Sequence, residues 1–235
     1  MTVEILYPEV CNLYGDLMSC EYLRQSGAQI VETSLKEKPK FIDGGISLVY
    51  MAPMTERSQE IVIKALTPYK DDIVSAIDRG QVFFVTGNAL EIFGGSIENE
   101  DGSVIKCLGI YGTVAKRKMY DRYNAIYLGK MGDMDIVGYK SQFTHSYGCG
   151  ELEPIFKTVR GHGRNPSFSG EGIKINNFYG TYLIGPMLVC NPPFMKYLME
   201  KCGVENPKIA FEKKAMEVYR KRVSEFSDPK TRVIY

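Results

Sequence analysis

The chain has 235 residues, 44% hydrophobic and 24% charged, an ordinary globular composition with length enough for a large buried core. Its 29 Lys and Arg against 28 Asp and Glu leave a net charge of +1, which gives no bulk attraction to nucleic acid or to an anionic membrane. No run approaches the roughly 18 apolar residues of a membrane span, and the opening MTVEILYPEV has no basic segment ahead of a long apolar one. A soluble, cytoplasmic protein is expected, with no nucleic-acid partner and no membrane insertion.

Residues 3–7 read as a short apolar strand, residues 13–24 as helical, and residues 29–33, beyond Gly27, as a second strand. The run SLVYM at residues 47–51 is consistent with a buried parallel strand. Residues 58–65 and 70–78 show helical spacing, with Ile61, Ala65, Ile73 and Ile77 on apolar faces and Arg79-Gly80 as a stop signal. VFFV at residues 82–85 reads as another buried strand, followed at once by Thr86-Gly87-Asn88 and a helical run over 89–93. Strands alternating with helices imply a Rossmann-like, flavodoxin-type α/β fold with a mostly parallel sheet covered on both faces.

The second half is richer in Gly, Tyr and Asn, with short strand-like runs at 124–128, 135–139 and 172–175 and a turn dipeptide at Asp101-Gly102. A partly antiparallel extension of the sheet is expected there. Residues 194–226 read as two helices separated by a loop at Asn206-Pro207, the last basic and amphipathic with a solvated charged face. With no repeat, low-complexity tract or long linker, one domain over 1–235 is expected.

A strand turning sharply into a helix is the geometry of a nucleophile elbow, and VFFV-TGNALEIFG has that layout with Gly87 at its tip. The segment has no lysine, no G-x-G-x-x-G and no Walker pattern, so neither a nucleotide nor another cofactor is expected. Six cysteines without C-x-x-C spacing read as reduced structural thiols, and two histidines cannot build a His-rich site, so no metal is expected.

LYPEVCNLYGD at the start, the elbow TGNALEIFG, DGSVIKCLGIYGTVAKR, GYKSQFTH and the closing VRGHGRNPSFSGEGIKINNFYGTYLIGPMLVCNPP together resemble the class I glutamine amidotransferases. The resemblance is to the glutaminase subunit of lipid II isoglutaminyl synthase and to the amidotransferase domain of cobyric acid synthase, and it runs from about residue 5 to about residue 200. The G-T-Y-L-x-G-P-x-L-x-x-N-P run is its most specific part.

The resemblance also implies what is missing. The family's nucleophilic cysteine falls on Gly87, which has no side chain to attack a carboxamide carbon. Its general-base histidine falls on Ile184, which cannot move a proton. Its glycine-rich oxyanion loop falls on Ala52-Pro53-Met54, and proline has no N–H to donate, where loss of one such donor costs about 10²–10³ in rate. Glycine at the tip also relieves the strain of a positive φ once no side chain is required.

Thr86, Asn88, Glu91 and Gln142 are candidates for lining a vestigial ligand pocket, with Thr86 or Asn88 capping the helix. Asp16, Glu56 and Glu91 are expected at its rim, mostly as solvated carboxylates, with the binding of a cationic ligand as the alternative. His145, four residues from Cys149, reads as a hydrogen-bonding loop histidine, and His162 between two glycines as a turn residue. The resemblance implies a catalytically inactive amidotransferase-like subunit docking on a Mur ligase-like, ATP-dependent synthetase, in peptidoglycan amidation. An active amidotransferase subunit using an unrecognised nucleophile, and a sensor of amides or amino acids, remain as alternatives.

Overall fold

The computed structural model describes residues 1–148 and 152–234. In chain order, β1 (Thr2–Leu6), α1 (Met18–Gln25), β2 (Gln29–Thr33), β3 (Leu48–Met51), α2 (Glu56–Leu66), α3 (Lys70–Asp78), β4 (Val82–Thr86) and the short α4 (Ala89–Ile92) form the alternating first half. Ten strands follow: β5 (Ser96–Glu98), β6 (Val104–Lys106), β7 (Val114–Arg117), β8 (Tyr123–Met131), β9 (Met134–Gln142), β10 (Thr144–Tyr147), β11 (Phe156–Arg160), β12 (Gly170–Glu171), β13 (Ile173–Ile175) and β14 (Phe178–Thr181). The chain then runs through α5 (Met187–Cys190), α6 (Pro192–Lys201) and α7 (Glu212–Ser227).

The principal sheet has the order β13-β14-β4-β3-β1-β2, all neighbours parallel except β13, which pairs antiparallel with β14. The step from β1 to β2 and the step from β3 to β4 run in opposite directions across the sheet. Because parallel crossovers are right-handed, α1 and the α2–α3 pair fall on opposite faces. β4 shows why its sequence is continuously apolar: Phe83 packs at 5.3 Å from Phe41, while the next residue, Phe84, packs at 5.4 Å from Phe194.

Two expectations are corrected. The strands of the second half extend the principal sheet only through β13 and β14; the others form two separate four-stranded sheets, β10-β7-β5-β6 and β12-β11-β8-β9. On α2, Ile61 faces solvent, and the buried stripe is Gln59, Val62, Ile63 and Leu66. The Asp101-Gly102 turn closes the β5–β6 hairpin as the dipeptide implies, with Gly102 at φ +84. The basic α7 packs Tyr219 against Leu128 and Val137 of the β8–β9 hairpin, and the Tyr219 hydroxyl donates to the Asp135 carbonyl at 2.8 Å.

Candidate functional site

Strand order reverses between β1 and β3, and in open α/β sheets the crevice at the carboxyl ends of such strands is the binding position. There the loops after β1, β3 and β4 converge on a cleft of about 180 Å³. Leu13 and Tyr14 come from the first loop, Pro53 and Met54 from the second, and Gly87 and Asn88 from the third. Tyr14, at φ +60, lies against Gly185, where an added Cβ would sit 2.4 Å from the Tyr14 carbonyl oxygen.

The elbow is sharply bent and leaves no space for a side chain at its tip. Gly87 sits at φ +57, a left-handed conformation that glycine adopts without steric cost. A Cβ built on it would lie 2.6 Å from Pro53 Cβ and 3.2 Å from Ile184 Cγ2. The tip is therefore closed by a proline ring on one side and an aliphatic branch on the other. The loop after β3 is tied to the elbow by Asn88: the Met54 N–H donates to Asn88 Oδ1 at 3.0 Å, and Asn88 Nδ2 donates to the Met54 carbonyl at 2.8 Å. Of the Ala52-Pro53-Met54 segment, Pro53 thus has no N–H and the N–H of Met54 is engaged.

Thr86 proves to be the last residue of β4, fully buried, and is not on the cleft wall. Its hydroxyl donates to Asp16 and approaches the Met51 carbonyl at 3.4 Å. It does not cap α4, and the Asn88 side chain makes no cap bond either, being spent on Met54. Asp16 is likewise buried rather than solvated, and burial pushes its carboxyl up to about 6 against the opposing effect of the Thr86 and Tyr50 hydroxyls.

Glu91 lines the cleft but is 2% exposed, again not a solvated rim group, whereas Glu56 is half-buried. A relay holds it. Arg117 Nη2 donates to Gln59 Oε1 at 2.9 Å, which turns the Gln59 amide nitrogen toward Glu91 Oε2 at 2.8 Å and the Asn88 carbonyl at 2.8 Å. Glu91 Oε1 has no hydrogen-bond partner. Burial pushes this carboxyl up to about 7; Gln59, the Arg117 charge and the facing Tyr182 and Thr144 hydroxyls offset part of the rise without closing a bond on Oε1.

Gln142 also lines the cleft, but its amide is committed inward. Its Oε1 accepts from Lys140 Nζ at 3.0 Å, and its Nε2 donates to the carbonyls of Thr144 and Arg164. Lys140 is fully buried and ion-paired with the equally buried Glu171, whose Oε1 accepts from Thr181 Oγ1 at 2.9 Å and the Tyr182 N–H at 2.7 Å. Burial lowers the Lys140 ammonium pKa and the Glu171 charge opposes that.

His145 is on β10 rather than a loop, with Nε2 at 3.2 Å from the Asp121 carbonyl oxygen. The Tyr123 ring stands edge-on to it at 4.6 Å and stacks on His162 at 4.0 Å, and burial lowers both histidine pKa values. Cys149 lies outside the described residues. The five described thiols are all pushed up by burial, Cys107 and Cys202 to about 12, so none of them is held as a thiolate. Among the described residues no group of three or more His, Cys, Asp or Glu could hold a metal ion, and no helix is long and apolar enough to cross a membrane.

Gln59, Arg117, Thr144 and Tyr182 went unmarked in the sequence. The one available signal was Gln59, a polar residue three, four and seven positions before Val62, Ile63 and Leu66 on a buried helical stripe.

In fold and sequence the chain is class I glutamine amidotransferase-like. Solved structures similar to it include a glutamine amidotransferase (TM-score 0.60, 15% identity, covering 86% of this chain and 99% of that one) and a glutamine amidotransferase of Thermotoga maritima (TM-score 0.52, 10% identity, covering 96% and 91%). At such identities the likeness establishes the fold alone. Among curated proteins, the chain is similar to the GatD subunit of lipid II isoglutaminyl synthase (glutamine-hydrolyzing) from Staphylococcus aureus, 25% identical over 223 residues that cover 92% of this chain and 90% of the relative. The GatD subunit from Streptococcus pneumoniae is 21% identical over 204 residues, covering 81% and 76%. No family model matches the chain.

Proposed function

We propose that this protein is a glutamine amidotransferase-like subunit without glutaminase chemistry, which binds and supports a Mur ligase-like, ATP-dependent partner in an amidation related to that of lipid II. The observation that carries the reading is the closed elbow: the space a nucleophile's Cβ would need lies 2.6 Å from Pro53 Cβ. Covalent glutaminase chemistry requires a nucleophile, a base in reach of it and donors for the oxyanion. At the corresponding positions the chain has Gly87, Ile184 and a loop whose proline lacks an N–H and whose next N–H is bonded to Asn88. Thr86, one residue from the tip, is buried against Asp16 and off the cleft, which leaves it no approach to a substrate.

That there is a partner is supported by the two curated relatives, whose names describe a subunit of a larger synthase; its Mur ligase-like, ATP-dependent character rests on the family resemblance alone. The test has two arms. Purified protein, alone and with the synthetase that co-purifies with it from its native cell, is assayed for glutamate release from glutamine, and no release is expected in either case. Release above the uncatalysed rate would refute the loss of chemistry, and recovery of the chain free of any ATP-dependent ligase would refute the assigned role.

A further inference from the structure

We propose that the cleft beside the elbow binds a primary ammonium group carried on a short apolar stem, with the Glu91 carboxylate as its counter-ion. The inference deepens the reading above by naming the ligand class of the same site, and it takes that cleft as a pocket released from glutamine hydrolysis.

Among the described residues lining the cleft, Glu91 Oε1 is the buried side-chain polar atom left without a hydrogen-bond partner. A buried carboxylate oxygen with no partner is costly, and a ligand that donates to it recovers that cost. Among the described residues the cleft lining carries charge of one sign, Glu56 and Glu91 with no Lys, Arg or His, and the positive charge that acts on Glu91 is Arg117, set behind Gln59. Arg117 reaches Glu91 only through Gln59, so its guanidinium does not fill the position in front of Oε1.

Charge and donors together favour an ammonium over a carboxamide. An amide has a carbonyl oxygen that needs an N–H or O–H, whereas an ammonium has donors only. Here the Gln142 Nε2 hydrogens go to two backbone carbonyls, the Met54 N–H goes to Asn88, and Pro53 has none. The Tyr182 hydroxyl is paired with the Ser146 hydroxyl, while the Ser141 and Thr144 hydroxyls also line the cleft, so the negative charge of Glu91 together with the engaged amides is what favours an ammonium. An α-carboxylate would in addition face Glu56 and Glu91, which disfavours glutamine and other free amino acids. Leu13, Pro53, Phe143 and Ile184 supply apolar wall for a short alkyl stem. The absence of any three-ligand acidic cluster among the described residues argues against a metal cation.

The full-length protein is titrated calorimetrically with n-butylammonium chloride, and in parallel with ammonium chloride, n-butyramide, glutamine and sodium chloride. Saturable binding of butylammonium is expected, weaker binding of bare ammonium, and none of butyramide or glutamine. Glu91→Gln, which preserves shape, weakens butylammonium at least about ten-fold, the equivalent of one hydrogen bond to a charged group.

Binding strengthens as the pH rises from about 6 to 8, as Glu91 loses its proton. Of the other groups around it, Cys107 and Tyr182 are pushed to about 12 and well above the tyrosine range, so neither titrates in that window; Arg117 behind Gln59 and Glu56 on the rim are the other charged groups. No saturable heat with butylammonium, equal binding by Glu91→Gln with its fold verified by circular dichroism, or glutamine binding as tightly as butylammonium overturns the proposal. Glutamate release is measured on the same samples. Hydrolysis would refute the loss of glutaminase chemistry irrespective of the titration, and a silent titration without hydrolysis would sink only the ammonium site.

Discussion

Adding a single methyl at the elbow is the sharpest perturbation of the structure. Gly87→Ala places a Cβ at φ +57, where an L-residue is strained by about 1–2 kcal/mol. That Cβ also falls 2.6 Å from Pro53 Cβ, about an ångström inside ordinary contact. Pro53 cannot swing aside as a flexible side chain would, because its ring is part of the backbone and its carbonyl accepts from the Leu13 N–H at 3.0 Å. Overpacking of this kind costs about 1–3 kcal/mol. The two effects together predict a loss of about 2–5 kcal/mol, or roughly 4–20 °C in Tm for a chain of this length.

Urea unfolding of wild type, Gly87→Ala, Pro53→Gly and the double variant separates the two. Pro53→Gly removes the clashing ring, so the double variant should be more stable than the sum of the single losses by about 1–3 kcal/mol, while the φ strain persists. Gly87→Ala unfolding within about 0.5 kcal/mol of wild type would refute the closed elbow.

Other outcomes follow from the same contacts. Lys140→Met strands the buried Glu171 charge and should cost about 3–5 kcal/mol, much of it recovered in Lys140→Met/Glu171→Leu, read by denaturant unfolding. Asn88→Ala removes both ties to Met54 and should cost about 1–3 kcal/mol; hydrogen exchange should show the Met54 amide losing protection. Asp16 and Glu91 have folded pKa values of about 6 and about 7, above the 3.8 and 4.5 of free carboxyls, chiefly through burial. The folded state therefore holds these protons more tightly, and the contribution favours folding below about pH 4 and is lost as the pH rises to about 7. At about 1.4 kcal/mol per pH unit this reaches about 3 kcal/mol for each group. Thermal melts of wild type and Glu91→Gln between pH 4 and 8 should show the variant's decline shallower by that order, and parallel curves would contradict the burial of an unpaired carboxyl.

The alternating first half was legible because its signals are local. VFFV is buried on both faces of β4 and so has no polar alternate positions, and Arg79-Gly80 ends α3 with Gly80 at φ +83. The face of α2 was misread because Ile61 is a strong apolar residue that the fold leaves outside, while the buried position at 59 is a glutamine whose partners are remote in sequence. The grouping of β5 to β12 into two sheets depends on pairings such as β10 with β7 and β11 with β8, which no local period encodes. Within the site, what Gly87, Pro53 and Ile184 lack was legible, because a missing side chain or N–H shows in residue identity. That they fill one another's space was not legible, nor was the burial of Asp16 and Glu91, since both depend on how the loops close over the strand ends.

The closure of those loops bears on how readily the proposed loss of chemistry could be reversed. A cysteine introduced at residue 87 alone would meet Pro53 before it met a substrate, and it would face Ile184 in place of a base. Replacing Ile184 with histidine alone would put an imidazole opposite a residue with no side chain. Removing Pro53 alone would open a void beside the glycine and leave the Met54 N–H still bonded to Asn88. Each single step toward a working glutaminase therefore costs stability or packing and returns little rate, because nucleophile and base act as a unit. The three positions are coupled by contact, so on the proposed reading they form one packed solution to an elbow without a nucleophile, and the fold retains its bend because β4 and α4 require it while the chemistry does not.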